Sequence, residues 1–237
     1  MAYVDADAIP VASNEYVCWL DIMGTKSKME NSVKTCSIFI FQLHTAVLKA
    51  IESGCKIHTY PVMDGVYFTA AHRTDIENAL QNIFVSLGNM FIEEEKFNYQ
   101  FLVKASVAYG PIIHGKDISD DINYQFAKNH PYKESLLLGL PMIQAYNGES
   151  SAPPFGIYIH ESARAFHAQD ESPFVVKWWK WFLCKRLDWD EEKTKRLGDK
   201  IINYFTNCRK QSLLLDYSES RIDSHEKIAK QYFELEK

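Results

Sequence analysis

Glu15-Tyr16-Val17-Cys18-Trp19-Leu20-Asp21-Ile22-Met23-Gly24 is the stretch on which the fold turns. Tyr16 to Leu20 form an unbroken apolar run, the pattern of a central strand buried on both faces. The run stops at Asp21, and Gly24 lets the backbone turn. A helix is expected from about Ser32 to Ser53, because Val33, Cys36, Ile40, Leu43, Val47 and Ile51 recur on one face; Gly54 stands where it should end. Two short strands follow, about Lys56–Val62 and Gly65–Ala70. Met63-Asp64-Gly65 between them is a hairpin signal. Thr74 and Glu77 have capping-box spacing, and Ile76, Leu80, Ile83, Leu87 and Met90 predict a second helix. Phe101–Tyr109 reads as the next strand, ending at Gly110-Pro111. The order strand, helix, strand, strand, helix, strand is the split arrangement of ferredoxin-like α+β folds, a βαββαβ core on an antiparallel sheet.

Beyond this core the pattern predicts a short helix in Leu136–Tyr146, a strand at Gly156–His160 and an edge strand at Val175–Trp179. Two amphipathic helices close the chain. One spans about Glu191–Arg209, with Leu197, Ile201, Tyr204 and Cys208 on a face; the other spans about Ser224–Leu235, with Ile228, Tyr232 and Leu235. The expected division is a catalytic core over 1–170 and a strand and helical extension over 171–237, packed together as one domain. Trp178-Trp179-Lys180-Trp181 reads either as packing of the terminal layer or as a partner-sensing surface. Lys185-Arg186 and Lys193–Arg196 read as solvated helix faces.

The composition suits a packed core: 46% hydrophobic and 24% charged over 237 residues. A net charge of −5, with no basic stripe interleaved with aromatics, argues against a nucleic-acid partner. No apolar stretch approaches the roughly 18 residues that span a bilayer. The first residues carry acids where a signal peptide carries bases, so a cytoplasmic protein is expected. Five cysteines, an odd number with no Cys-x-x-Cys pair, read as reduced core thiols. The scattered histidines offer no zinc-site spacing.

One chemical expectation comes from the topology. In the split sheet the first and third strands are antiparallel neighbours. Asp21 ends the first and Asp64 starts the third, so the two carboxylates should converge. Such a pair, with open positions, suits two Mg2+ or Mn2+ ions, which can clamp the attacking and leaving oxygens of a phosphoryl displacement. Amides after Gly24 can receive a polyphosphate. The plainer alternative is that Asp64 is only a turn residue and Asp21 only a strand end.

Trp19-Leu20-Asp21-Ile22-Met23-Gly24 resembles the first metal-binding motif of class III nucleotidyl cyclases, and Val62-Met63-Asp64-Gly65 resembles their second. Lys104-Ala105-Ser106-Val107-Ala108-Tyr109-Gly110 resembles the strand after their second helix. The resemblance covers about Glu15–His160. Within that class the chain is most similar to the bacterial pyrimidine cyclases of Pycsar antiphage defence, compact enzymes with a helical C-terminal extension. The resemblance implies a head-to-tail homodimer with composite sites that converts UTP to cyclic UMP and pyrophosphate, with CTP as the second choice. It also implies that the product is a second messenger, which activates a separately encoded effector and kills the infected cell.

The resemblance places the metals on Asp21, Asp64 and the Ile22 carbonyl, and the substrate on Tyr60, Gly24, Thr25 and Lys104. Tyr60 stands four residues before Asp64, where adenylyl cyclases carry a base-selecting Lys. Leu136, three residues before Gly139, replaces their second purine-selecting residue, an Asp. Both changes favour a pyrimidine. The chain also departs from the class pattern. Ile143 and Asn147 take the places of a ribose-orienting Asn and a phosphate-stabilising Arg, and Thr25 replaces a Phe. Lys104, Lys26 and Gln144 are the candidates for making up the loss. A catalytically dead cyclase-like module is one rival reading. A palm-type nucleotidyltransferase is another, which the negative net charge counts against.

Overall fold

The computed structural model describes residues 4–183, 188–211 and 215–235. β1 (Ser13–Ile22), α1 (Thr25–Asn31), α2 (Val33–Glu52), β2 (His58–Val62), β3 (Gly65–Ala70), α3 (Arg73–Glu93) and β4 (Val103–His114) form the βαββαβ unit, with α1 an addition at its start. The helices α4 (Tyr124–Lys128) and α5 (His130–Glu134), β5 (Leu137–Gly139), α6 (Leu140–Gly148), β6 (Gly156–Ile159), α7 (Glu161–Ala165) and β7 (Trp178–Trp179) follow. The chain then runs through α8 (Glu191–Lys210) and α9 (Glu219–Phe233). The sheet order is β2-β3-β1-β4-β6-β7, with β5 paired to the far end of β4. Every pairing is antiparallel except β4 with β6. This is the ferredoxin-like order expected from the sequence, extended on one side.

β1 is apolar from Tyr16 to Leu20 because both of its faces are covered there. Tyr16, Cys18, Leu20 and Ile22 join the core formed with α2 and α3, while Val17 and Trp19 join Tyr60, Tyr67 and Ala145 on the other face. α2 begins as expected on Ser32, whose hydroxyl accepts the Thr35 N–H, and Gly54 follows its end at φ +90°. Its buried face is rotated from the expected one: Phe39, Ala46 and Ala50 are buried, while Val33 and Ile51 are exposed. Ala46 and Ala50 are buried in that core, and the apolar pattern alone did not single them out.

Two boundaries differ from expectation for tertiary reasons. α3 starts at Arg73 rather than on a Thr74 cap, and no side chain of the helix caps it. The Glu171 carboxylate accepts the Arg73 N–H instead, at 2.8 and 3.0 Å, and places negative charge at the helix start. β4 does not stop at Gly110-Pro111. It runs on to His114 because Ile112, Ile113 and His114 pair with β5. Gly110 allows this with φ +156°, a conformation that a side chain rarely adopts.

The C-terminal helices belong to the same apolar core: Leu197, Ile201, Tyr204 and Cys208 of α8 and Ile222, Ala229 and Tyr232 of α9 are buried with the β1 residues. Trp179 and Trp181 pack this layer, while Trp178 is half-buried. Trp181 is fully buried and donates its indole N–H to the Phe155 carbonyl at 2.9 Å, and Trp179 is buried beside it. The edge strand shrinks to Trp178–Trp179. Cys18, Cys36, Cys55 and Cys208 carry free thiols, three of them buried. Cys184, Lys185 and Arg186 lie outside the described residues. Among the described residues no helix is long and apolar enough to cross a membrane.

Candidate active site

The register brings the two expected acids together. The β1–β3 ladder ends at Leu20↔Val66, and the β2–β3 hairpin closes at Val62↔Gly65. Asp21 and Asp64 therefore stand just past the last rungs of adjacent strands, at one end of the sheet. Met63 and Asp64 are the two loop residues, and Met63 takes the positive φ (+51°) that such a tight loop requires. Gly65 serves a different purpose from the one its place in a turn dipeptide implies. A Cβ there would lie 2.5 Å from the Trp19 ring and 2.8 Å from the Leu20 carbonyl oxygen. The glycine lets β3 close onto Trp19 and so sets the approach of Asp64 to β1.

Thr25, at the start of α1, fixes Asp64 by donating its hydroxyl to Asp64 Oδ2, and the Ile22 N–H donates to Asp21 Oδ1 at 2.9 Å. Asp21 responds to its surroundings: burial first, then the charges of Asp64 and Glu149, push its carboxyl up to about 7. Carboxylates crowded in this way favour a proton or a cation. The donor set is all oxygen: two carboxylates, with the Ile22 carbonyl beside them. That set fits Mg2+ or Mn2+ and does not fit a soft metal. Among the described residues no group of three or more His, Cys, Asp or Glu side chains is arranged to hold a metal alone. A metal here would need ligand or water oxygens to complete its shell.

A cavity of about 590 Å³ opens beside Asp21; Asp64 is not among its lining residues and meets it through Thr25, which is. Asp21, Ile22, Gly24, Thr25, Lys104 and Glu149 line it from the sheet side, and Tyr217, Arg221 and His225 line it from the C-terminal segment. Lys104 is buried, directly opposite Asp21 in the β1–β4 register, and its ammonium lies 3.2 Å from His225 Nε2. Burial, assisted by the nearby Arg221 charge, holds Lys104 below the usual lysine range. Lys28 also reaches the cavity. Its ammonium donates to the Gln100 carbonyl at 3.0 Å and sits over the Phe39 ring, and burial brings it down to about 8. Lys26 lines the rim and is exposed.

Tyr60 is outside this cavity. It is buried on β2, and its hydroxyl is bonded to His114 Nδ1; His114 Nε2 lies 2.9 Å from the Glu15 carboxylate. A carboxylate only accepts, so Nε2 carries a proton and donates it. The Tyr60 hydroxyl is thus tied to His114 and, through it, to Glu15, two residues distant in sequence. Ile143 and Asn147 are exposed on α6, and Gln144 lines a separate cavity with Pro141.

The sequence did not point to Glu149, Lys28, Tyr217, Arg221 or His225. For Arg221 and His225 there was one faint signal, two basic side chains one helical turn apart on an otherwise amphipathic helix.

No family model and no curated protein matches the chain. Among solved structures it is similar to a bacterial light-regulated adenylyl cyclase, with 15% identity and a TM-score of 0.49, covering 60% of this chain and 40% of that one. It is also similar to the guanylate cyclase domain of RhGC from Catenaria anguillulae in complex with GTP: 14% identity, TM-score 0.48, 65% of this chain and 81% of that one. The guanylyl cyclase Cya2 matches at 13% identity and TM-score 0.43, over 62% and 75%. The chain thus spans less than half the length of the first of these. At such values the likeness carries nothing about substrate or activity.

Proposed function

We propose that the chain is a nucleotidyl cyclase acting on a pyrimidine triphosphate, UTP before CTP, to give the 3′,5′-cyclic monophosphate and pyrophosphate. The observation that carries this is the meeting of Asp21 and Asp64, with Asp21 lining a cavity that Lys28, Lys104 and Arg221 share with the carboxylates of Glu149 and Asp216. In this reading Asp21, Asp64 and the Ile22 carbonyl hold two Mg2+ or Mn2+ ions, which when bound supply positive charge for the attacking and leaving oxygens. The 3′-oxygen forms a bond to the α-phosphorus, the bond from that phosphorus to the β-bridging oxygen breaks, and pyrophosphate leaves with the electron pair. The hydroxyl proton passes to water. Thr25 keeps Asp64 oriented, and Lys104 faces the triphosphate. The catalysis is positioning and electrostatics, since the nucleophile is already part of the substrate.

The pyrimidine preference rests on Tyr60 and Leu136 at the base-selecting positions, where a tyrosine hydroxyl can hydrogen-bond to the edge of a smaller base. Because Tyr60 lies apart from the cavity of its own chain, this reading needs a homodimer in which each base meets the Tyr60 of the other copy. The cyclic product then serves as the messenger of an antiviral abortive response, activating a separate effector. The rival reading, a catalytically dead nucleotide-binding module, is favoured by the exposed Ile143 and Asn147 at positions where cyclases of this class carry polar catalytic groups.

The test is a panel of UTP, CTP, ATP and GTP with Mn2+, using the wild-type chain and Asp64→Asn. Cyclic UMP or cyclic CMP from the wild type, reduced at least about a hundredfold in the variant, is the expected result. Undiminished turnover in the variant refutes the mechanism. Product only from a purine refutes the base assignment. Binding without turnover selects the dead module.

A further inference from the structure

The cavity is closed on one side by a segment that the sequence reading assigned no chemistry. α9 brings Arg221 and His225 to within reach of Lys104, and Tyr217 lies just before the helix. The protons in this group can be placed. Lys104 has donors only, so His225 Nε2 accepts from it, and the remaining imidazole proton lies on Nδ1. Nδ1 is hydrogen-bonded to the Tyr217 hydroxyl, so the Tyr217 oxygen accepts there and its own hydrogen is free to point elsewhere. The imidazole is neutral: burial first, then the Lys104 and Arg221 charges, bring it down to about 4. The group therefore presents its remaining capacity as donors: two ammonium hydrogens, a phenol hydrogen and the Arg221 guanidinium.

Arg221 is exposed, and its guanidinium lies 5.7 Å from the Tyr217 ring. Its charge acts on both Lys104 and His225. Among the described residues neither Lys104 nor Arg221 is held in an ion pair, although Glu149 attracts Lys104 from the sheet side. Asp216 is the carboxylate that this segment adds to the lining. Lys104 and Arg221 thus border the cavity with no carboxylate among the described residues in ion-pair contact, which leaves their charges open to an anionic ligand. The ligand must also satisfy the carboxylates across the cavity, which need a cation. A polyphosphate carrying a divalent ion does both.

We infer that α9 supplies a polyphosphate-binding wall, in which Arg221 and Lys104 hold the two distal phosphates of the substrate while His225 and Tyr217 orient Lys104. The inference rests on the cyclase reading for the identity of the substrate, but not for the binding of the polyphosphate itself. On that reading Arg221 takes over, from the C-terminal extension, the anion-stabilising part that Asn147 on α6 cannot play. Arg221 and Lys104 then steady the charge that builds on the departing pyrophosphate.

The test uses the full chain and inorganic tripolyphosphate with Mg2+, titrated calorimetrically, on wild type, Arg221→Gln, Arg221→Lys and Lys104→Met. Far-UV circular dichroism checks that each variant is folded; Arg221 is exposed, so its variants keep the fold. The expected result is wild-type binding weakened at least about tenfold by Arg221→Gln, with Arg221→Lys between, since lysine keeps the charge but not the fork. In steady-state kinetics the same Gln variant lowers kcat rather than only raising KM. Equal binding by wild type and Arg221→Gln overturns the wall, as does a wild type that binds no tripolyphosphate at millimolar concentration. The two readings fail separately. Binding through Arg221 without any cyclic nucleotide product keeps the wall and overturns the cyclase. Cyclic UMP formed equally fast by Arg221→Gln keeps the cyclase and overturns the wall.

Discussion

Lowering the pH should loosen the fold through His225, and the size of the effect follows from its surroundings. The imidazole is enclosed by Lys104, which donates to Nε2, by Tyr217 at Nδ1 and by the Arg221 charge. Burial and these charges take it from an ordinary 6.5 to about 4. The unfolded chain therefore binds this proton first. Stability from this group is complete above 6.5, is lost as the pH falls from 6.5 towards 4, and changes no further below that. The whole shift is worth at most about 3 kcal/mol, and between about pH 7.5 and 5 the linkage gives a loss of about 2 kcal/mol. Asp21 acts in the opposite sense. Its raised carboxyl keeps its proton in the folded chain after the unfolded chain has released it, so that penalty grows as pH rises from 3.8 to about 7. The two are separated by comparing wild type with His225→Gln, which keeps a polar side chain but cannot titrate. Urea unfolding at the two pH values should show the wild type losing about 2 kcal/mol more than the variant. Parallel losses in both proteins would refute the assigned environment of His225.

Two further outcomes follow from the acid pair. Gly65→Ala places a methyl group 2.5 Å from the Trp19 ring and 2.8 Å from a backbone oxygen that cannot move aside. Overpacking of this kind costs about 1–3 kcal/mol and lowers Tm by a few degrees, measured by calorimetry; an unchanged Tm would contradict the close approach of β3 to Trp19. Thr25→Val removes the hydroxyl that holds Asp64 Oδ2 while nearly keeping the volume. Mn2+ affinity, measured by electron paramagnetic resonance, should fall about tenfold with little change in Tm, and undiminished affinity would show that Asp64 needs no such support.

What the sequence made legible is what local pattern encodes. The apolar run at Tyr16–Leu20, the hairpin at Met63-Asp64 and the helical face of α8 each state their own geometry. Once the element order is read, neighbouring strands follow, and with them the meeting of Asp21 and Asp64. The unread parts depend on contacts between distant segments. Glu171 serves the start of α3 from 98 residues away. Gly65 reads as a turn glycine, and only the packing on Trp19 reveals the other reason for it. α1 has seven residues, too few to show a period. The Glu15–His114–Tyr60 chain joins three strands, and no spacing in the sequence links a tyrosine on β2 to a histidine at the far end of β4.

The same division runs through the candidate site. Its acids stand at the end of β1 and in the β2–β3 loop, places set by backbone pairing, and so were foreseeable. Its cations come partly from α9, whose position is set by the burial of Ile222, Ala229 and Tyr232 against the core. An amphipathic helix of this kind shows in its sequence which face is buried, but not which cavity its polar face will border. On the proposed cyclase reading, the anion-holding role that Asn147 cannot play passes to another element bordering the cavity. That element is α9, with Arg221 one residue before the fully buried Ile222. The anchor and the functional group are adjacent in the chain, so packing of the core fixes the placement of the charge.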